Sequence, residues 1–191
     1  MSSCKENPRL ARINIRRPRA FSRIAPKVNP MQVKTSAGLL MFRRSRDVIE
    51  VLIVHPGGPF FRNKDAGAWT IPKGEAGISE DLLTRAKVEF EEEVGLAPTG
   101  PWIDLGSVRQ ASGKTVHAWA FEGELPVGFV PMSNTFEIEW PPRSGRRKTF
   151  PEVDQVRFFS VDEARKRINV AQRAFLDRLI ERLAARPHSD D

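Results

Sequence analysis

The chain holds a single cysteine, Cys4, in 191 residues. That excludes an internal disulfide framework and a cysteine-rich zinc module, and makes a reducing compartment, the cytoplasm, the expected location. No apolar run approaches the roughly 18 residues that a membrane-spanning helix needs. The longest, 37–42 and 51–54, are strand-sized, so no membrane association is expected. No secretory hydrophobic region is found at the N-terminus. With 40% hydrophobic and 29% charged residues, the chain can bury a core, which excludes wholesale disorder.

The net charge of +7 is unevenly spread. Residues 1–34 carry nine Lys/Arg and one acid, a net +8, and the remainder nets −1. The basic character therefore belongs to an arm. Three readings of the arm stand: a disordered tail or over-extended start, since Met31 stands just before the first strand pattern; a polyphosphate- or RNA-binding tail; and an Arg-rich transit peptide, against which Pro8, Pro18, Pro26 and Pro30 interrupt any long helix. The expected division is a basic, disordered arm over 1–33, one folded domain over 34–186 and a short disordered tail over 187–191.

Hydrophobic patterning predicts strands over 35–43 and 48–55, the second continuous enough to be buried on both faces. A short strand over 68–71 should stop at Pro72. A helix is predicted over 79–94, with Ser79 as N-cap, Glu80 and Asp81 at the positive end of the dipole, and Gly95 ending it. A strand pair over 101–109 and 114–121 follows, then a Pro- and Arg-rich excursion over 133–150, read as a long loop. A last strand over 155–159 precedes helices over 161–167 and 170–185, the second amphipathic through Phe175, Leu176, Leu179, Ile180 and Leu183. Its apolar stripe suits packing on its own core or on a partner, so oligomeric state stays open. This mixture predicts an α/β sandwich around a mixed β-sheet.

The chemistry concentrates on the first long helix. On a wheel of about 100° per residue, Glu93 lies about 40° to one side of Glu89 and Glu92 about 60° to the other. Three carboxylates this close repel one another unless they are neutralised. Either they form a solvated acidic face or they hold a cation. Oxygen-only donors with no nearby Cys or His favour Mg²⁺, or Mn²⁺.

The long-range spacing is more specific. Gly74 is followed after five residues by Glu80, after seven more by Val88, Glu89 and Phe90, then after one residue by Glu92 and Glu93, and after one more by Gly95 and Leu96. This resembles the signature of the Nudix hydrolases, with eight of its nine specified positions matching over 23 residues. Residues 69–75 (WTIPKGE) resemble the approach to that box in Nudix enzymes that cleave diadenosine polyphosphates. Residues 108–110, 116–121 and 139–145 are similar to a bacterial group of predicted Nudix nucleotide pyrophosphohydrolases. The resemblance covers about residues 35–183.

It implies a Nudix-type α/β/α sandwich and a Mg²⁺-dependent pyrophosphohydrolase acting on a nucleoside diphosphate linked to another group. It places Glu89, Glu92 and Glu93, with the Lys73 carbonyl, as metal ligands, and Gly74, Glu80 and Gly95 as structural box positions. A further acid before the last strand would act as base or extra ligand: Glu152, with Glu137 and Glu139 as alternatives. The departure is Val88, where the pattern has an orienting Arg; Arg85, four residues before Glu89, is the expected substitute. Trp140 beside Arg143, Arg146, Arg147 and Lys148 suits a base and its polyphosphate, although an ordinary charged surface loop would look the same. His55 is a further binding candidate, with Arg62, Lys64 and His117 weaker. Two other functions stay open: removal of pyrophosphate from RNA 5′ ends, hinted at by the arm, and a catalytically silent nucleotide-binding module, hinted at by Val88.

Overall fold

The structure is a computed structural model describing residues 34–46 and 48–185. The expected arm and tail lie outside the described residues. Among the described residues eight strands are found, β1 (Thr35–Ser45), β2 (Val48–Pro56), β3 (Lys73–Glu75), β4 (Ile103–Arg109), β5 (Thr115–Glu122), β6 (Thr135–Glu139), β7 (Arg147–Pro151) and β8 (Val153–Ser160), with helices α1 (Leu82–Val94), α2 (Val161–Arg167) and α3 (Arg173–Ala184).

The main sheet runs β4-β5-β1-β2-β8, with β3 added beside β1. β1 and β5 are parallel and the other pairs antiparallel, giving the expected mixed sheet. Side chains alternate across it. Leu39, Met41, Leu52 and Val54 pack with Ala86, Phe90 and Val94 of α1. Leu40, Phe42, Val51 and Ile53 pack with Phe175, Leu176 and Leu179 of α3. Both faces of β1 and β2 are therefore covered, which is why their sequences read as apolar runs. The result is an α/β/α sandwich. No helix among the described residues is long and apolar enough to cross a membrane.

Four local readings are corrected. α1 starts at Leu82, with Asp81 as its N-cap accepting from the Thr84 N–H at 2.8 Å; Ser79 lies outside, and Glu80 instead accepts from the Gly77 N–H at 2.8 Å. Residues 68–71 form isolated bridges, Val54 to Thr70 and Trp69 to Ile168, and the Ile71 N–H is taken by the buried Gln172 side chain at 3.0 Å. The strand in this region is β3, beyond Pro72. The 133–150 excursion is an antiparallel hairpin, β6–β7, pairing Phe136 with Phe150 and Ile138 with Lys148. Finally, the last predicted helix divides into a 3₁₀ turn over Val170–Gln172 and α3, and Ile180 is exposed.

Candidate active site

The site is built where α1 faces β3 and the start of β8. The α1 C-terminus is closed by Gly95 in the left-handed conformation (φ 82°), its N–H donating to the Glu91 carbonyl, a geometry glycine adopts without the Cβ penalty. β3 is pinned to β1 by pairing of Ala37 with Gly74. That register lays Gly74 directly against Glu89: a Cβ at Gly74 would overlap the Glu89 carboxylate. The box glycine is thus explained by close approach of a buried acid to the strand.

Glu89 is 7% exposed. Its Oε1 accepts from Arg85 Nη2, and the same nitrogen lies 3.8 Å from Glu92 Oε2. Val88 is 39% exposed, so the box arginine position points toward solvent while Arg85 supplies a guanidinium from one turn earlier. Glu93 Oε2 accepts from the Lys73 backbone N–H at 3.1 Å. Burial, and secondarily the charges of Glu152 and Glu92, push the Glu93 carboxyl up to about 7 against the lowering pull of Lys73. Burial likewise drives the Lys73 ammonium down, with Lys114 adding to the effect and Glu93 opposing it.

Lys73, Gly74, Arg85, Glu89, Glu92, Glu93 and Glu152 line one cavity of about 340 Å³, with Glu75 and Asn134. Glu152 precedes β8, held by its N–H to the Asn134 carbonyl and its carbonyl to the Gly57 N–H, both 2.8 Å. Asn134 was not anticipated from sequence. Nothing local singles it out, because it reaches the cavity through backbone bonds to residues distant in sequence, its N–H to the Glu92 carbonyl at 3.3 Å and its carbonyl to the Glu152 N–H.

As the side chains stand, no three acidic, His or Cys groups among the described residues form a metal cage; Glu89 is turned to Arg85 and Glu93 to the Lys73 N–H. The oxygens on offer are nonetheless carboxylates plus a strand carbonyl. That oxygen set fits a hard divalent cation and no soft one.

The other candidates lie elsewhere. Glu137 pairs with Arg147 at 2.7 Å on the outer side of the hairpin, and Glu139 accepts from the Gly145 N–H at 2.8 Å. Arg143 and Arg146 are exposed near the hairpin tip. Trp140 and Lys148 instead line a second cavity, of about 540 Å³, together with Arg62. Lys64 and Arg62 line a third, beside buried His55. His55 is used internally: Nε2 donates to the Lys64 carbonyl at 2.8 Å, and Nδ1 lies 2.6 Å from Asp154 Oδ1. His117 stacks on Trp119 and faces Asp104, 3.1 Å away.

Comparison with known proteins agrees with this architecture. The NUDIX domain family model matches residues 33–179, and the chain belongs to that family. It is a Nudix-type hydrolase. No curated protein sequence matches it. Among solved structures it resembles the Caenorhabditis elegans Ap4A hydrolase binary complex, at 18% identity and TM-score 0.55, covering 79% of this chain and 99% of that one. It also resembles the NUDIX domain of Shewanella oneidensis NrtR complexed with ADP ribose, at 15% identity and TM-score 0.57, covering 84% and 94%. A mutT/nudix family protein from Listeria innocua gives 14% identity and TM-score 0.52, covering 79% and 94%.

Proposed function

We propose that the chain is a divalent-cation-dependent pyrophosphohydrolase that cleaves a phosphoanhydride bond in a nucleoside diphosphate linked to another group, a dinucleoside polyphosphate or a nucleoside triphosphate. The observation that carries this is the meeting of Glu89, Glu92 and Glu93 of α1 with Glu152, some sixty residues later, in one cavity. The Ap4A in the name of the one hydrolase and the ADP ribose bound to the NrtR NUDIX domain are both nucleoside diphosphates linked to another group, which supports this class.

Glu89, Glu92, Glu93 and the Lys73 carbonyl would hold Mg²⁺, with Mn²⁺ as the alternative. Such an ion neutralises non-bridging phosphate oxygens and lowers the pKa of coordinated water. Glu152 is assigned as general base. It takes a proton from the attacking water as the water oxygen bonds to phosphorus and the bridging P–O bond breaks, leaving a nucleotide and a phosphorylated product. Arg85 would act as a positioning residue, holding the Glu89 carboxylate through Oε1. Gly74, Glu80 and Gly95 would shape the box, and Trp140, Lys148 and Arg62 would meet the rest of the nucleotide.

The test is nucleotide and phosphate release over a panel of nucleoside triphosphates and dinucleoside polyphosphates, with and without Mg²⁺, for the wild type and Glu93→Gln. Turnover that needs the cation and falls at least about a hundredfold in the variant is expected, with unchanged far-UV circular dichroism. Binding without turnover would identify a silent nucleotide-binding module instead.

A further inference from the structure

The hairpin makes a second cavity whose chemistry is unlike that of the carboxylate site. Pairing across β6 and β7 puts Phe136, Ile138, Lys148 and Phe150 on one face of the hairpin. That face is pressed onto the turn after β2: a Cβ at Gly57 would overlap the Pro151 carbonyl, and one at Gly58 would stand 2.8 Å from the Phe136 ring. Between hairpin and turn lies the slot of about 540 Å³, walled by Trp140, Lys148 and Phe150 on one side and Arg62 and Asn63 on the other, with Asp154 also lining it. Trp140 is braced edge-to-face by Phe60, with centroids 5.6 Å apart.

Three features give this slot a ligand class. The side chains of Arg62 and Lys148 make no ion pair or hydrogen bond among the described residues, so two cations are available at its rim. Trp140, just past the end of β6, offers an aromatic surface braced by Phe60. Asp154 is held through Oδ1 by His55, whose other nitrogen is tied to the Lys64 carbonyl, and its Oδ2 has no donor among the described residues. A fixed carboxylate oxygen beside an aromatic wall accepts N–H groups and repels a carbonyl oxygen. Asn63 adds an amide able to donate to a ring nitrogen next to such an amino group. The slot adjoins the carboxylate cavity through consecutive residues, since Pro151 lines the first and Glu152 the second.

We propose that this slot binds the base of a nucleotide carrying an exocyclic amino group, the ring lying on Trp140 and an amino N–H donating to the free oxygen of Asp154. Arg62 and Lys148 then face the phosphates on their way to Glu152. The ligand is taken to be a nucleotide on the strength of the function proposed above. The base class is read chiefly from Asp154, with Asn63 in support: adenine, guanine or cytosine is accepted over the oxo bases hypoxanthine and uracil.

The experiment uses the full chain in EDTA, so that neither hydrolysis nor metal binding enters. Affinities for AMP, IMP, CMP and UMP are measured by calorimetry. AMP should bind at least about tenfold more tightly than IMP, and CMP more tightly than UMP by a similar factor, because the free Asp154 oxygen accepts an exocyclic amino N–H and repels the carbonyl oxygen that stands in its place in IMP and UMP. Asp154→Asn should reduce each ratio to within about threefold, because an amide can also donate to a carbonyl. Asp154→Asn also disturbs the His55 contact, so Trp140→Ala serves as the second variant; it should weaken all four nucleotides by about tenfold. Equal binding of AMP and IMP by the wild type overturns the proposal, as does unchanged affinity in Trp140→Ala. Failure here would leave Mg²⁺-dependent turnover standing, and absence of turnover would leave the AMP-over-IMP preference standing, so the two readings fail separately.

Discussion

Arg85 reaches Glu89 across one turn of α1 and caps a carboxylate that is almost fully buried. Arg85 Nε is buried without a hydrogen-bond partner, and Arg85 Nη2 carries the contact to Glu89. Removing the guanidinium strands the Glu89 charge. Arg85→Ala should destabilise the metal-free protein by about 1–2 kcal/mol, less than a fully buried pair because Arg85 is partly exposed. It should also raise the Mg²⁺ concentration needed for half-maximal rate. Adding Val88→Arg to that variant should restore part of the metal response, since position 88 is four residues before Glu92. An Arg85→Ala enzyme with an unaltered Mg²⁺ titration would remove Arg85 from the positioning role.

Gly74→Ala tests the close approach directly. The new methyl group and the Glu89 carboxylate would claim the same space, so either β3 or Glu89 must move. If Glu89 is the ligand proposed above, a rate loss of at least about a hundredfold is expected from its displacement by an ångström or more. Stability should fall by about 1–3 kcal/mol from overpacking. Kinetics and urea denaturation on one preparation separate the two effects.

Glu93 sets a pH dependence whose sign follows from its environment. Its carboxyl is pushed up to about 7 from 4.5, so the folded metal-free protein binds a proton more tightly than the unfolded chain does. Stability from this group is complete below about pH 4.5 and is lost as pH rises through about 7. The loss is on the order of 2 kcal/mol after allowance for partial exposure. Denaturation in EDTA at pH 5 and pH 8 should show this decline in the wild type and a flatter profile in Glu93→Gln. A divalent cation must displace the same proton, so metal affinity should climb from pH 5.5 to 7.5.

Glu152→Gln separates a base from a ligand. The amide keeps the side-chain shape and removes the proton acceptor. A base predicts a fall in kcat of about 10²–10⁴-fold with a nearly constant Mg²⁺ requirement. A shift in the Mg²⁺ titration with a small change in kcat would mark Glu152 as a ligand.

The acidic helix was legible in sequence because helix periodicity is local. Spacing alone puts Glu89, Glu92 and Glu93 along one turn, and the capping glycine Gly95 needs no tertiary partner to be recognised. The β1 and β2 runs were legible for the same reason, through burial on both faces. The hairpin was not. Its strands are five residues each, one face is exposed, and the Pro-Pro-Arg-Ser-Gly stretch between them reads as a loop until Phe136 and Phe150 are seen packing as a pair. The start of α1 was misplaced because Ser79, Glu80 and Asp81 are all plausible near a helix N-terminus, and only hydrogen bonding distinguishes the cap from the residues before it.

What the amino-acid order determined by itself is the set of carboxylates and their phase on α1, because both follow from the fixed rise and turn of a helix. What only the tertiary structure decided is the company they keep. Gly74 meets Glu89 through the register of β3 on β1, Glu152 enters the same cavity through the start of β8, and His55 meets Asp154 ninety-nine residues away. Such meetings depend on strand register and sheet order, which are settled by the packing of the whole core rather than by any short stretch of chain.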